Sequence, residues 1–85
     1  MRILFSATFI RRLGELDDDL QDEVAEKVAL FKDPRNYKRL RVHKLHGRFA
    51  NKWSFSVNFK IRIIFEKLDQ ATVALLTIGD HDVYR

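Results

Sequence analysis

Pro34 divides this chain of 85 residues into two parts with different hydrophobic periods. In "DDDLQDEVAEKVALFK", residues 17–32, Leu20, Val24, Val28 and Phe31 recur at the three- and four-residue steps of one helical face. Acids crowd the first turn of that segment and Lys32 closes it, as the helix dipole favours. Proline lacks a backbone N–H and clashes with the preceding turn, so the helix has to end before it. Beyond Pro34 apolar residues alternate with a period of two, the pattern of strands with one buried face. Helices first and sheet afterwards predict an α+β chain.

The segments on either side complete the reading. "MRILF" at the start is a short strand candidate, and in "ATFIRRLGEL" Phe9, Ile10 and Leu13 share a helical face, with Gly14 weakening the end of the helix. Around "LRVHKLHG" Leu40 and Val42 alternate with Arg41 and His43. In "FSVNFKIRIIF" a loop of Asn58, Phe59 and Lys60 puts Phe55, Val57, Ile61, Ile63 and Phe65 on one face and Ser54, Ser56, Arg62 and Ile64 on the other. A two-residue loop would set Phe55 against Arg62, so the pattern selects the longer turn although no glycine is there to take a left-handed conformation. Arg62 then stands on the sheet face that the helices leave uncovered. "ATVALLTI" is apolar on both faces, as an interior strand requires. The expectation is one domain over residues 1–85: an N-terminal strand and helical hairpin packed on a twisted antiparallel sheet of about four strands.

Composition narrows the class. Hydrophobic residues make up 46% and charged residues 33% of the chain, the balance of an ordered globular domain. With no cysteine, neither a disulfide framework nor a thiolate metal site can support the fold. The start, "MRILFSATFIRR", has too short an apolar core for a signal peptide, and nowhere do about 18 apolar residues run together. A soluble, cytoplasmic protein is expected. The net charge of +4 is unevenly placed: residues 17–26 are rich in acid, whereas residues 32–52 are crowded with Lys and Arg and hold one acid, Asp33. A basic middle attracts polyanions by releasing their counterions, although a solvated face reads the same on charge alone.

The order strand, helical hairpin, antiparallel sheet, together with "HKLHGR", "WSFSVNFKIRIIF" and "TIGDHDVYR", resembles the RelE/ParE superfamily of bacterial toxins, nearest its RelE- and YafQ-like ribonucleases. The resemblance covers essentially the whole chain and is specific from residue 43 onward. It implies a toxin of a type II toxin–antitoxin system that cuts messenger RNA, often on the ribosome, and is held inactive by a cognate antitoxin. It implies no metal and no cofactor. The implied chemistry is attack of a ribose 2′-hydroxyl on the neighbouring phosphate, which needs a base, an acid for the leaving oxygen and positive charge on the phosphorane-like transition state.

Carried over by motif, the resemblance assigns catalytic roles to His43 in "VHKLHG", Arg62 in "IRIIF", and His81 and Tyr84 in "GDHDVYR". His43 is taken as base and His81 as acid, with Tyr84 stacking on a base or orienting the phosphate. Lys44, Arg48, Lys52, Lys60 and Arg85 are the expected RNA contacts. Trp53 reads as packing more than as a stacking platform, and His46 before Gly47 as a turn residue. Two positions depart from the family: Ser56 stands where a second arginine is common, with Arg48 or Lys52 as substitutes, and Asp82 stands beside His81 where a basic residue is frequent. Two other readings stay open: a ParE-like gyrase-inhibiting toxin, and a module that binds RNA or ribosome without cutting.

Overall fold

Two side-chain caps start the helices. Ser6 Oγ accepts the Phe9 N–H at 3.0 Å and opens α1 (Ala7–Gly14). Asp17 accepts the Leu20 N–H at 2.8 Å and opens α2 (Asp18–Phe31). Each cap satisfies an amide that the first helical turn leaves unbonded. Asp33 caps the 3-10 turn Pro34–Asn36 that stops the second helix; it accepts the Arg35 backbone N–H at 3.0 Å and the guanidinium at 2.8 Å. Those bonds with Arg35 hold the Asp33 carboxyl below its ordinary pKa. The stabilisation they bring is therefore present above that ordinary value and fades as acid protonates the folded form.

The computed structural model describes residues 1–80 and Val83. Five strands form one sheet in the order β1-β5-β4-β3-β2: β1 (Arg2–Phe5), β2 (His43–Lys44), β3 (Lys52–Ser56), β4 (Arg62–Lys67) and β5 (Thr72–Gly79). The four later strands are antiparallel neighbours, as expected. The N-terminal strand joins them as a fifth and lies parallel to β5, which makes the sheet mixed. A parallel pair needs a long crossover, and the intervening helices and strands provide one. Two local readings change. Ile10 is 58% exposed, so only Phe9 and, partly, Leu13 of α1 reach the core. The segment around Val42 makes only a two-residue strand, because Arg41 turns the chain with φ +57°. Among the described residues no helix is long and apolar enough to cross a membrane.

Phe31, fully buried, joins the helical layer to the sheet. Its ring stacks on Phe55 with centroids 4.4 Å apart, on Tyr37 at 5.4 Å, and meets the edge of Phe65 at 4.7 Å. Val24, Leu40, Val57, Ile63, Val73, Leu75 and Ile78 close around this cluster. Burial also raises the Tyr37 hydroxyl pKa.

The inward positions of β5 run 73, 75 and 78, which breaks a strict alternation. Opposite Ile64 stands Thr77 and opposite Phe65 stands Leu75, so Leu76 is the extra residue of a β-bulge. The bulge reverses the parity and keeps Ile78 in the core beside Ile63. Ser6 fastens this irregular stretch: its N–H reaches the Leu75 carbonyl at 3.0 Å and its hydroxyl donates to the Leu76 carbonyl at 2.6 Å. Replacing Phe31 by alanine empties a site walled by three aromatic rings, and a loss of about 3–5 kcal/mol is expected in urea unfolding. A loss below about 1 kcal/mol would mean that the helix is anchored elsewhere.

Candidate functional site

Strand register orders the sheet face opposite the aromatic core. His43, Ser54, Ile64 and Thr77 stand directly across from one another on β2, β3, β4 and β5, and the next row on the same face is Ser56, Arg62 and Gly79. Ser56 thus pairs with Arg62 as the loop of Asn58, Phe59 and Lys60 requires. His43 and Arg62 share a face two strands apart, about 10 Å across the ladder. The face is not bare, since Ser54 and Ile64 are fully buried. Thr77 Oγ1 is buried without a hydrogen-bond partner among the described residues.

The glycine-free turn is explained by Asn58. Its Oδ1 accepts the N–H groups of Lys60 at 2.8 Å and Ile61 at 2.9 Å, replacing the backbone bonds that a tighter turn would make. Its Nδ2 donates to Glu23 Oε1 on α2 at 2.6 Å, and its carbonyl accepts from Arg62 Nη1 at 2.8 Å. One asparagine therefore shapes the hairpin, ties it to a helix and steadies the guanidinium of Arg62.

His43 is exposed, and its Nδ1 lies 2.8 Å from the Arg41 carbonyl. A carbonyl oxygen can only accept, so Nδ1 carries the proton and the neutral ring keeps its lone pair on Nε2. The carbonyl reaches that place because Arg41 adopts the left-handed φ of +57°, which a β-carbon disfavours and a local constraint has to maintain. The arrangement fits a proton acceptor at Nε2.

Beside Arg62 the surface opens into a cleft of about 310 Å³, lined by Lys27, Arg39, Arg41, Ser56, Asn58 and Glu23 among others. Four cations, Lys27, Arg39, Arg41 and Arg62, converge there against a single carboxylate that is already bonded to Asn58. Reasoning from the sequence does not single out Lys27, Arg39, Arg41 or Asn58 as site residues. The run "YKRLR" carries the signal for two of them, since arginines flanking buried Leu40 must point away from the core.

Other expected contacts are scattered. Lys52 lies on the Arg62 face but opposite Glu66. Lys44 pairs with Trp53 and so faces the other side of the sheet from His43. Lys60 is exposed at the hairpin tip. Arg48 lies in the 3-10 turn Gly47–Phe49, its guanidinium 5.1 Å from the Phe49 ring centroid. Lys67 Nζ sits 3.9 Å over the Trp53 ring, which also stacks near Phe65, so Trp53 is packed and not an open platform. His81, Tyr84 and Arg85 lie outside the described residues. Gly79, directly across from Arg62, shows where β5 delivers the chain that follows, and a β-carbon on it would lie 3.6 Å from both Arg12 Nη1 and Val83 Cβ.

No protein-family model matches the sequence, and no curated protein matches it. Solved structures do match in shape. The toxin–antitoxin complex RelBE2 from Mycobacterium tuberculosis has a chain 21% identical over 94% of this chain and 96% of that one, with a TM-score of 0.73. A chain of the YoeB–YefM complex from Staphylococcus aureus is 13% identical over 95% and 97%, with a TM-score of 0.73. YafQ from Escherichia coli is 12% identical over 99% and 98%, with a TM-score of 0.69. Long-range proton–nitrogen NMR above the imidazole pKa should find neutral His43 protonated on Nδ1. A signal from an Nε2–H tautomer would remove the geometric case for a base at Nε2.

Proposed function

From the RelE/ParE toxin fold that this chain has, we propose that it is the toxin of a type II toxin–antitoxin system and a metal-independent endoribonuclease acting on messenger RNA. The observation that carries the reading is the pairing, on one sheet face, of an arginine held at the edge of a cationic cleft with a histidine whose Nε2 is left to accept a proton. Such a pair suits phosphate chemistry, because a guanidinium offers a forked cation to phosphate oxygens and an imidazole nitrogen can take or give a proton.

In the reaction, His43 Nε2 takes the proton of a ribose 2′-hydroxyl as that oxygen attacks the adjacent phosphorus. The P–O5′ bond breaks, and the departing oxygen takes a proton from His81 as general acid. The products are a 2′,3′-cyclic phosphate and a 5′-hydroxyl. Arg62 stabilises the charge that accumulates on the phosphorane oxygens, which matters more than ground-state binding for rate. Ser56 supplies no charge beside it, and Arg39 and Arg41, which line the same cleft, would act as the second cation. Tyr84 would stack on a base. Lys44, Arg48, Lys52, Lys60 and Arg85 serve the longer-range attraction of the RNA.

A cognate antitoxin, messenger RNA and the ribosome are the proposed partners, and the bacterial cytoplasm the proposed location. Among the matching structures RelBE2 is a toxin–antitoxin complex, and YoeB is in a complex with YefM, which supports the first of these.

The test is a translation reaction programmed with a defined message, with cleavage sites mapped by primer extension. Wild-type protein should cut the message, while His43→Ala, Arg62→Ala and His81→Ala should each lower cleavage by at least about a hundredfold, the usual worth of one acid, base or charge-stabilising group. Their circular dichroism should match the wild type. Full cleavage by His43→Ala and His81→Ala would overturn the mechanism. An uncut message with blocked translation would instead identify a non-cleaving ribosome binder, and inhibited DNA supercoiling with translation intact a gyrase poison.

A further inference from the structure

Phe59 is the most exposed large apolar side chain of the described residues, at 87%. It is not on a loose loop. Asn58 fixes the turn beneath it through two backbone N–H groups and ties that turn to Glu23 on α2. The backbone that carries the ring is thus held at a set place, on the rim of the cleft that also gathers Lys27, Arg39, Arg41 and Arg62. Packing explains none of this, because a ring so exposed adds nothing to the core.

We propose that this cleft is a subsite for a nucleotide flanking the scissile phosphate of single-stranded RNA, with Phe59 as the stacking platform for its base and Lys27, Arg39 and Arg41 as contacts to its phosphates. The inference rests on the ribonuclease reading and deepens it. An open π-face beside converging cations matches the two chemical halves of a nucleotide, and every base offers a face to stack regardless of sequence. A free phosphate would make no use of the ring. A wholly apolar partner would make no use of the arginines. Glu23, the one acid in the cleft, has its Oε1 bonded to Asn58 Nδ2.

Continuity with the proposed catalytic face favours RNA over an acidic peptide. Arg41 belongs to both places: its carbonyl orients His43, and the residue lines the cleft. Arg62 likewise stands in the catalytic row and in the cleft wall. A strand whose scissile phosphate lay at Arg62 would have its neighbouring nucleotide at the hairpin without leaving the surface. Because the turn that carries the platform is prearranged, its backbone needs little ordering when the base arrives.

Binding of a fluorescently labelled RNA oligonucleotide, made uncleavable by 2′-O-methylation, can be followed by anisotropy with the full chain. Phe59→Ala should weaken it by about tenfold or more, as removal of one stacked base does, with Phe59→Tyr close to wild type. The slope of affinity against salt should not change for either. An Arg39→Gln, Arg41→Gln double variant should instead flatten that slope by roughly 0.7 for each phosphate left without its cation. Phe59 is exposed, so matching thermal midpoints should show that the variants fold. Wild-type affinity in Phe59→Ala would overturn the subsite, as would an effect confined to binding of an acidic, antitoxin-like peptide. Failure of wild type to bind the oligonucleotide would overturn it too, yet message cleavage in the translation reaction would then leave the ribonuclease reading standing.

Discussion

The stack of Phe31 on Phe55 is the contact through which the helical layer and the sheet become one body. Phe31 ends α2, so its placement fixes both the height of that helix over the sheet and the point from which the chain turns at Pro34. The basic stretch of the chain comes next in the sequence. Leu40 is buried in the same core, and with the two ends of the segment pinned, Arg39 and Arg41 on either side of it are forced outward together. The positive cleft is in this sense a by-product of core packing: the apolar anchors are close in sequence and the charges lie between them. Glu23 and Lys27, on the same helix as Phe31, come to that cleft for the same reason.

Most of the architecture could be read from the order of residues, because each element is short and its period is clean. The helix of residues 18–31 is bounded by an acid cap and a proline, signals that act locally. The hairpin register followed from one mismatch, Phe55 against Arg62, that only a three-residue loop avoids. What escaped depended on contacts between distant segments. The parallel partnership of β1 with β5 joins the two ends of the sheet-forming chain and has no local signature. Ile10 fits a helical stripe as well as Phe9 does, yet α1 offers its sheet-facing side only to Phe9 and Leu13.

The candidate site was legible in part for a similar reason. Arg62 is conspicuous as a charge on an apolar strand, and the motif "VHKLHG" singles out His43 by resemblance, so both could be marked from sequence. Their supports could not. Asn58 looks like any turn residue until its side chain is seen to serve two amides and a carboxylate at once. Arg41 meets His43 through its carbonyl, and side-chain reasoning does not identify a contact made by the backbone. Lys44, beside His43 in sequence, illustrates the converse, because adjacent residues on a strand face opposite ways.

The bulge at Leu76 links the two faces of the sheet in a way that sequence length controls. Because it adds one residue to β5 and none to β4, it sets which side of the sheet the chain confronts as it leaves the strand at Gly79, opposite Arg62. The frame in which Gly79 meets Arg62 is accordingly a matter of counting. A relative one residue shorter here would have to pass the same side chains to the opposite surface or slip the whole strand, so insertions and deletions should be far less tolerated at this point than exchanges of one side chain for another.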